Sequence, residues 1–201
     1  MGSRPDFRQR LIAQRVVPVL RLASAELTAR AIECLREAGF GMVEVTMTTP
    51  GALEILGSTQ NAGAGTVLDL DTARRCIDAG AQFLVSPCLV PGMAQLAHAA
   101  GRLALIGGFT PGEVLAAHRE GADLVKLFPA SSGGPRHLRA LHAVFPDIAL
   151  CPTGGVSLQN MAEYFAAGAS LVGVGNDIVD PTALAANDRA AVVAHARRFL
   201  A

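Results

Sequence analysis

The chain contains no tryptophan, one tyrosine and only one lysine, and its 17 basic residues are balanced by 17 acidic ones. Neither sign of charge forms a long run, so nucleic acids and anionic membrane surfaces are poor candidates for partners. No apolar stretch reaches the ~18 residues of a membrane span. The first ten residues also lack the apolar core of a secretion signal. We therefore expect a protein with neither nucleic-acid nor membrane partners.

Cysteine and histidine are too few and too scattered to form a metal site by their spacing. The four cysteines contain no C-x-x-C pair, and the five histidines lie far apart, mostly in segments with helical character. Isolated cysteines are typical of proteins in a reducing compartment, which predicts a cytoplasmic setting. The cysteines are Cys34, Cys76, Cys88 and Cys151.

The composition itself predicts a folded domain with a substantial core. The chain has 201 residues, of which 51% are hydrophobic and 17% charged, a composition that argues against intrinsic disorder. This length fits a single domain over residues 1–201. Residues 1–15 precede the first apolar run, and we expect them to form an N-terminal helix or extension.

Eight short apolar runs recur along the chain at intervals of about twenty residues. They lack polar alternation, as expected for parallel strands that are buried on both faces. The runs occupy 16–21, 43–47, 63–67, 83–87, 103–108, 124–129, 149–155 and 171–176.

Helical patterns separate these runs, and several of them end in glycine, as in "EAGFGM", "DAGAQF", "REGADL" and "AAGASL". Eight strand–helix units predict a (β/α)8 barrel, with a doubly wound sheet of fewer strands as the alternative because the runs 63–67 and 83–87 are short. The connection over 50–65 leaves room only for a short helix.

The single lysine, Lys126, lies in the apolar run "LVKLFP". Arginine would serve a structural ion pair as well or better. An amine among apolar neighbours, however, can lose its proton near neutral pH, and the neutral amine forms Schiff bases with ketones and aldehydes. We interpret Lys126 as a catalytic amine, with a structural ion pair as the alternative.

Glu44 interrupts the apolar strand "MVEVTM", where an isolated carboxylate is costly unless it is paired or functional. Schiff-base chemistry needs a group that shuttles protons, and a carboxyl group near the lysine can do so. A Glu44–Lys126 ion pair without turnover is the alternative.

Other polar groups follow the strand ends that form the active face of such barrels. Arg21 ends the first run and could bind a carboxylate in bidentate fashion, or cap a helix or lie free on the surface. The turns "PTGGV" and "GVGN" after the last two runs suit phosphate, because glycine-rich turns that lead into helices expose N–H groups. These glycines could equally serve tight turns alone.

Several motifs together resemble the class I aldolases that act on 2-keto-3-deoxy-6-phosphogluconate (KDPG) and 4-hydroxy-2-oxoglutarate (KHG). They are "VEVTMTTP", "GAGTVL", "VSPCL", "VKLFPASSGGP" and "CPTGGV", and the resemblance runs from about Val16 to the last helix. It implies a metal-free, cofactor-free (β/α)8 barrel that assembles as a homotrimer. It also implies cleavage of a small phosphorylated keto acid to pyruvate and glyceraldehyde 3-phosphate.

The resemblance also implies roles for individual residues. Lys126 would form the Schiff base and Glu44 would act as general acid and base. Substrate contacts would come from Arg21, as carboxylate clamp, and from Thr66, Pro87, Phe128 and Thr153. The phosphate would be bound by Gly154, Gly155, Gly175 and Asn176.

The chain departs from the family pattern at several places. Thr48 stands where many members have arginine, and Asn176 where serine is usual. The loop "IGGFTPGE" and the segment after Pro50 are shorter than usual. The "PTGG" motif favours the gluconate substrate over its galactonate epimer. Two other hypotheses remain: an isomerase with Glu44 as base, and a catalytically inactive barrel that binds sugar-acid phosphates.

Overall fold

The computed structural model describes residues 3–200, apart from the side chain of Asn176. Eight parallel strands form the interior of the fold within these residues. They are β1 (Val16–Leu20), β2 (Val43–Thr46), β3 (Ala62–Gly65), β4 (Phe83–Val85), β5 (Leu103–Gly108), β6 (Leu124–Leu127), β7 (Leu150–Pro152) and β8 (Val172–Val174).

The strands pair in the order β7-β6-β5-β4-β3-β2-β1-β8, so each strand lies beside its neighbour in the chain and β8 pairs with β1. A parallel bridge between Thr153 and Gly173 joins the β7 and β8 ends of this sheet. The strands therefore form a nearly closed (β/α)8 barrel, which confirms the predicted fold and excludes the doubly wound sheet.

Helices cover the outside of the barrel. Their bounds are α1 (Arg4–Ala13), α2 (Ala25–Ala38), α3 (Ala52–Ser58), α4 (Leu70–Asp78), α5 (Met93–Ala99), α6 (Pro111–Arg119), α7 (Gly134–Val144), α8 (Met161–Ala166), α9 (Pro181–Ala185) and α10 (Arg189–Arg197). Helix α3, with seven residues, confirms the short helix expected between β2 and β3.

Helix α2 illustrates how the sequence sets these elements. The hydroxyl of Ser24 accepts a hydrogen bond from the N–H of Leu27 and so caps the first turn. Ile32 and Leu35 bury the inner face of the helix against the strands. Gly39 ends the helix with φ of 118°, a conformation that glycine adopts without steric strain.

Several strands are shorter than the apolar runs that predict them, because the residues beyond them leave the extended conformation. Gly154 and Gly155, at φ of 87° and 80°, lie beyond the end of β7, and Thr66, at φ of 60°, follows the end of β3. These residues lie in turns at the rim of the barrel.

The barrel has an apolar interior at the N-terminal ends of its strands. Leu103, Leu124 and Leu171 pack there with side chains from α1. The ring centroid of Phe7 on α1 lies 6.2 Å from that of Phe83 on β4. Helix α1 thus closes the N-terminal end of the barrel.

Polar contacts hold α1 in this position. The buried carboxylate of Asp123 accepts a hydrogen bond from Arg4 at 2.5 Å and another from the N–H of Ala104 at 2.9 Å. His98 Nε2 lies 2.9 Å from the same carboxylate. Because Asp123 immediately precedes β6, these contacts tie α1 to the strand that carries Lys126.

Candidate active site

A cavity of about 500 Å³ opens at the C-terminal ends of the strands. This is the end of the barrel where the sequence predicts the active face. The residues that line it are Val19, Arg21, Glu44, Lys126, Phe128, Thr153, Gly154, Gly155, Val156, Ser157, Gly175 and Asp177.

Lys126 lies in β6 and its side chain points into the barrel. It is 5% exposed and is flanked in register by Gly107 on β5 and Cys151 on β7. Its Nζ lies 3.8 Å from Glu44 Oε1 and 5.4 Å from the ring centroid of Phe128. The amine is therefore withdrawn from bulk solvent and faces a carboxyl group across the barrel.

Glu44 is 4% exposed and lies on β2. Its Oε1 has no hydrogen-bond partner within the part of the chain that the structure describes. Gly65 on β3 leaves the space for this carboxyl group, since a Cβ at that position would overlap Glu44 Oε1. A buried carboxyl oxygen without a partner beside an amine is well placed to exchange protons with a bound substrate.

Arg21 follows β1 and is exposed at the rim, where it lines the cavity. Its Nη2 donates a hydrogen bond of 3.4 Å to Thr66 Oγ1. Thr66 adopts φ of 60°, which is unusual for a β-branched residue and costs about 1–3 kcal/mol. The structure thus brings Arg21 and Thr66 together from strands that are not adjacent.

Thr153 and Phe128 line the cavity, and Phe128 is 36% exposed at its rim. The N–H of Ala130 donates a hydrogen bond of 2.8 Å to the carbonyl of Thr153, which ties the rim after β6 to the end of β7. Pro87 and Thr66 lie outside the cavity lining. The backbone of Pro87 instead lies against Gly107, where a Cβ would collide with it.

The glycine turn after β7 presents free backbone donors to the cavity. Within the described residues, the N–H groups of Gly155 and Val156 have no intramolecular acceptor, whereas that of Gly154 belongs to the bridge between Thr153 and Gly173. Helix α8 begins only at Met161, so no helix N-terminus reaches this turn, contrary to the sequence-based expectation. The physical reason is that residues 157–160 form a separate turn before the helix.

Gly175 lines the cavity on the β8 side and is followed by a short 3-10 helix, Asn176–Ile178, instead of an α-helix. The predicted phosphate contact of the Asn176 side chain lies outside the described part of the structure. Sequence reasoning missed Ser157 and Asp177, which also line the cavity. Ser157 lies two residues after Gly155, and Asp177 lies two residues after Gly175. This spacing from the glycine turns was the signal in the sequence that could have identified them.

The buried Cys151 on β7 lies beside Lys126 in the sheet. Burial raises the pKa of its thiol to about 12, so the thiol is neutral at physiological pH. Among residues 3–200, no group of three or more histidine, cysteine, aspartate or glutamate side chains is arranged to hold a metal ion. In the same range, no helix is both long and apolar enough to span a membrane.

Comparison with known proteins places this geometry in a family. A family model described as "Aldolase: KDPG and KHG aldolase" matches residues 7–195. The 2-dehydro-3-deoxy-phosphogluconate aldolase of Pseudomonas aeruginosa is 36% identical over 159 residues, which cover 76% of this chain and 72% of that protein. A probable 2-dehydro-3-deoxy-6-phosphogalactonate aldolase of Rhizobium meliloti is 34% identical over 187 residues, which cover 89% of this chain and 88% of that protein.

A solved structure shows the same likeness. KDPG aldolase from Legionella pneumophila, with pyruvate captured as a covalent carbinolamine, superposes with a TM-score of 0.86 at 28% identity and covers 95% of this chain and 96% of that one. The barrel fold, the cavity at the C-terminal ends of its strands and the matching relatives all indicate the same family. The chain therefore belongs to the KDPG and KHG aldolase family and is an aldolase, a lyase that breaks a carbon–carbon bond.

Proposed function

We propose that this protein is a metal-independent class I aldolase that cleaves KDPG to pyruvate and glyceraldehyde 3-phosphate through a Schiff base on Lys126. One observation carries the proposal: the buried Lys126 Nζ lies 3.8 Å from the buried Glu44 Oε1 in the wall of the cavity at the C-terminal ends of the strands. This separation exceeds the reach of about 2.6–3.2 Å for direct proton transfer, so the two groups exchange protons through the substrate bound between them or through a water molecule.

In the first stage, the neutral amine of Lys126 adds to the C2 ketone of the substrate. The carbonyl oxygen gains a proton and becomes the hydroxyl of a carbinolamine, and the nitrogen loses one. Loss of that hydroxyl as water gives the iminium. Glu44 supplies and removes these protons, since its Oε1 has no other partner among the described residues.

In the second stage, Glu44 takes the proton of the C4 hydroxyl, and the C3–C4 bond breaks. Its electron pair moves through C3 and C2 to the iminium nitrogen, which gives an enamine and releases the aldehyde. Protonation of the enamine at C3 restores the iminium. Addition of water then releases pyruvate and the free amine, so atoms and charges balance over the cycle.

The remaining rim residues bind the substrate. Arg21 can bind the carboxylate of the keto acid in bidentate fashion, with Thr66 orienting its guanidinium. Phe128 and Thr153 line the same cavity as Arg21 and Lys126. Pro87 does not touch pyruvate in this proposal. Its backbone packs against Gly107 on β5, the strand beside Lys126.

The free N–H groups of the turn after β7 would bind the phosphate, together with the turn at Gly175. Asn176 is kept as a candidate phosphate contact from the sequence alone. Supporting the covalent step, the related enzyme from Legionella pneumophila carries pyruvate as a covalent carbinolamine.

Borohydride reduction in the presence of pyruvate tests the proposal. Mass spectrometry of the digested protein should find the reduced adduct on Lys126, and the same treatment of Lys126→Arg should leave no adduct. In a coupled assay of pyruvate release, Lys126→Arg should lower kcat/KM by about 10⁴-fold or more. An unmodified Lys126 with full activity would exclude a Schiff base there, and absence of cleavage by the wild type would favour an inactive binding barrel.

The galactonate epimer is the second candidate substrate, because the Rhizobium meliloti relative is named as a galactonate aldolase. KHG is a further candidate, since the matching family model includes KHG aldolases. Side-by-side kcat/KM values for the three compounds decide between them. We also propose a single domain, trimeric assembly and a cytoplasmic location, which rest on the family resemblance and the isolated cysteines.

A further inference from the structure

Asp177 lies at the end of the cavity that the substrate's far end would occupy. In the proposed function, this is the part of the cavity lined by Gly154 and Gly155 after β7 and by Gly175 and Asp177 after β8. Asp177 belongs to the 3-10 helix after β8 and is exposed. Its backbone carbonyl accepts a hydrogen bond of 2.7 Å from His195 Nε2, which fixes this residue against α10.

The cavity lining offers no cationic side chain for a phosphate once the rest of the substrate is bound. Among the described lining residues, the cationic side chains are Arg21 and Lys126, and the anionic ones are Glu44 and Asp177. Arg21 and Lys126 are engaged by the carboxylate and by the Schiff base in the proposed reaction. The far end is therefore left with neutral backbone donors and one carboxylate.

On the other side of the 3-10 helix, Asp177 has basic neighbours but forms no salt bridge with them among the described residues. A second cavity there is lined by Asp177, His195 and Arg198. A phosphate group in the first cavity would meet the charge of Asp177 without screening by an ion pair.

A carboxylate and a neutral hydroxyl group are, in contrast, good partners. An ionised aspartate only accepts hydrogen bonds, and a sugar hydroxyl donates one. A phosphate near pH 7 carries close to two negative charges and offers acceptors almost exclusively, so it repels the same carboxylate.

We propose that Asp177 is a specificity-determining residue that reduces the preference for a phosphorylated substrate. The site thereby also accepts 2-keto-3-deoxy sugar acids whose far end is an uncharged hydroxyl group. Asp177 accepts a hydrogen bond from that hydroxyl and opposes the phosphate that the glycine turns bind. This inference rests on the proposed aldolase function and specifies its substrate class.

The test compares kcat/KM for KDPG and for unphosphorylated 2-keto-3-deoxygluconate in the wild type and in Asp177→Asn. The amide of asparagine keeps the shape and removes the charge. The ratio of the two values should shift toward KDPG by about tenfold, as removal of one nearby like charge predicts. Higher salt should shift the wild-type ratio in the same direction, because salt screens exposed charges.

Glu163→Gln is the matched control. Glu163 is exposed on α8 and lies outside the cavity lining, so it changes the net charge equally without touching the site. Its ratio should stay at the wild-type value. Asp177→Ser provides a second neutral variant if Asp177→Asn folds poorly.

The outcomes separate the two proposals. If the wild type cleaves KDPG but the ratio is unchanged in both Asp177 variants, or shifts equally in Glu163→Gln, the role of Asp177 is wrong and the aldolase function stands. If the wild type cleaves KDPG and has no detectable activity on the unphosphorylated acid, the widened substrate class is wrong. If it cleaves neither compound, both proposals fail.

Discussion

The two ends of the barrel interior contain different kinds of side chains, apolar at the N-terminal end and polar at the C-terminal end. At the N-terminal end, Phe7 and Leu11 of α1 pack on apolar side chains such as Phe83, and the end is closed. At the C-terminal end, Lys126 and Glu44 face an open cavity. The apolar packing at the N-terminal end stabilises the fold, whereas the polar groups buried at the C-terminal end cost stability. This arrangement is typical of barrel enzymes, whose active sites lie at the C-terminal ends of the strands.

The same strand can serve both ends. In strand β3, Gly63 lies toward the N-terminal end of the barrel interior and Gly65 toward the C-terminal end. A Cβ at Gly63 would overlap the ring of Phe83, and one at Gly65 would overlap the carboxyl group of Glu44. Two glycines, separated by Ala64, thus leave space for the ring of Phe83 and for the carboxyl group of Glu44.

A pair of phenylalanine variants gives the largest expected test of this contrast. Phe7 is 7% exposed at the closed end and Phe128 is 36% exposed at the mouth. Phe7→Ala should lower the free energy of unfolding by about 3 kcal/mol, because it opens a cavity between α1 and the strands. Urea denaturation measures this loss, and kcat/KM of the folded fraction should stay near the wild-type value.

Phe128→Ala is the counterpart at the mouth. It should cost less than about 1 kcal/mol of stability, as expected for a partly exposed site, yet reduce kcat/KM several-fold. The contrast between the ends would break down if Phe7→Ala impaired catalysis while Phe128→Ala left it intact.

The two glycines of β3 give a second, intermediate test. Gly63→Ala should lower the free energy of unfolding by about 1–3 kcal/mol through overpacking against Phe83. Gly65→Ala should displace Glu44 and reduce kcat about 10²-fold, as expected when a proton-transfer group is misplaced. Trapping with pyruvate and borohydride should still label Lys126 in the Gly65→Ala protein.

Equal losses of stability and of kcat in both glycine variants would show that β3 does not separate the two ends. Retained kcat in Gly65→Ala would mean that the carboxyl group of Glu44 tolerates displacement or takes no part in the reaction.

The smallest expected effect concerns strain at the mouth. Thr66→Gly removes a β-branched residue from φ of 60° and should raise the free energy of unfolding by up to about 1 kcal/mol, after the higher entropy of glycine in the unfolded chain is subtracted. It also removes the hydroxyl that accepts from Arg21, so KM for the keto acid should rise. Thr66→Ser keeps the hydroxyl and should keep the wild-type KM; a stability gain without any change in KM would separate Thr66 from substrate binding.

The barrel was predictable because buried parallel strands leave a strong local pattern. The strand ends were less predictable: the run 149–155 is extended only over Leu150–Pro152, since Gly154 and Gly155 turn away from the strand. The closure of the N-terminal end by α1 was not predictable, because the contact of Phe7 with Phe83 joins residues distant in the chain.

For the site, composition identified Lys126 and an apolar context identified Glu44, since a charged group among buried residues stands out in any sequence. Asp177 carried no such signal. Exposed aspartates are common on loops, and only its position beside Gly175 in the cavity wall makes it notable.

The sequence by itself determined the repeated strand–helix units and the identity of the groups able to carry the chemistry, because these depend on local periodicity and on intrinsic side-chain properties. The tertiary structure decided which of these groups meet. Only the closed barrel brings the strand ends together. It places Lys126 3.8 Å from Glu44, lets Arg21 donate a hydrogen bond to Thr66, and sets the carboxylate of Asp177 beside the glycine turns.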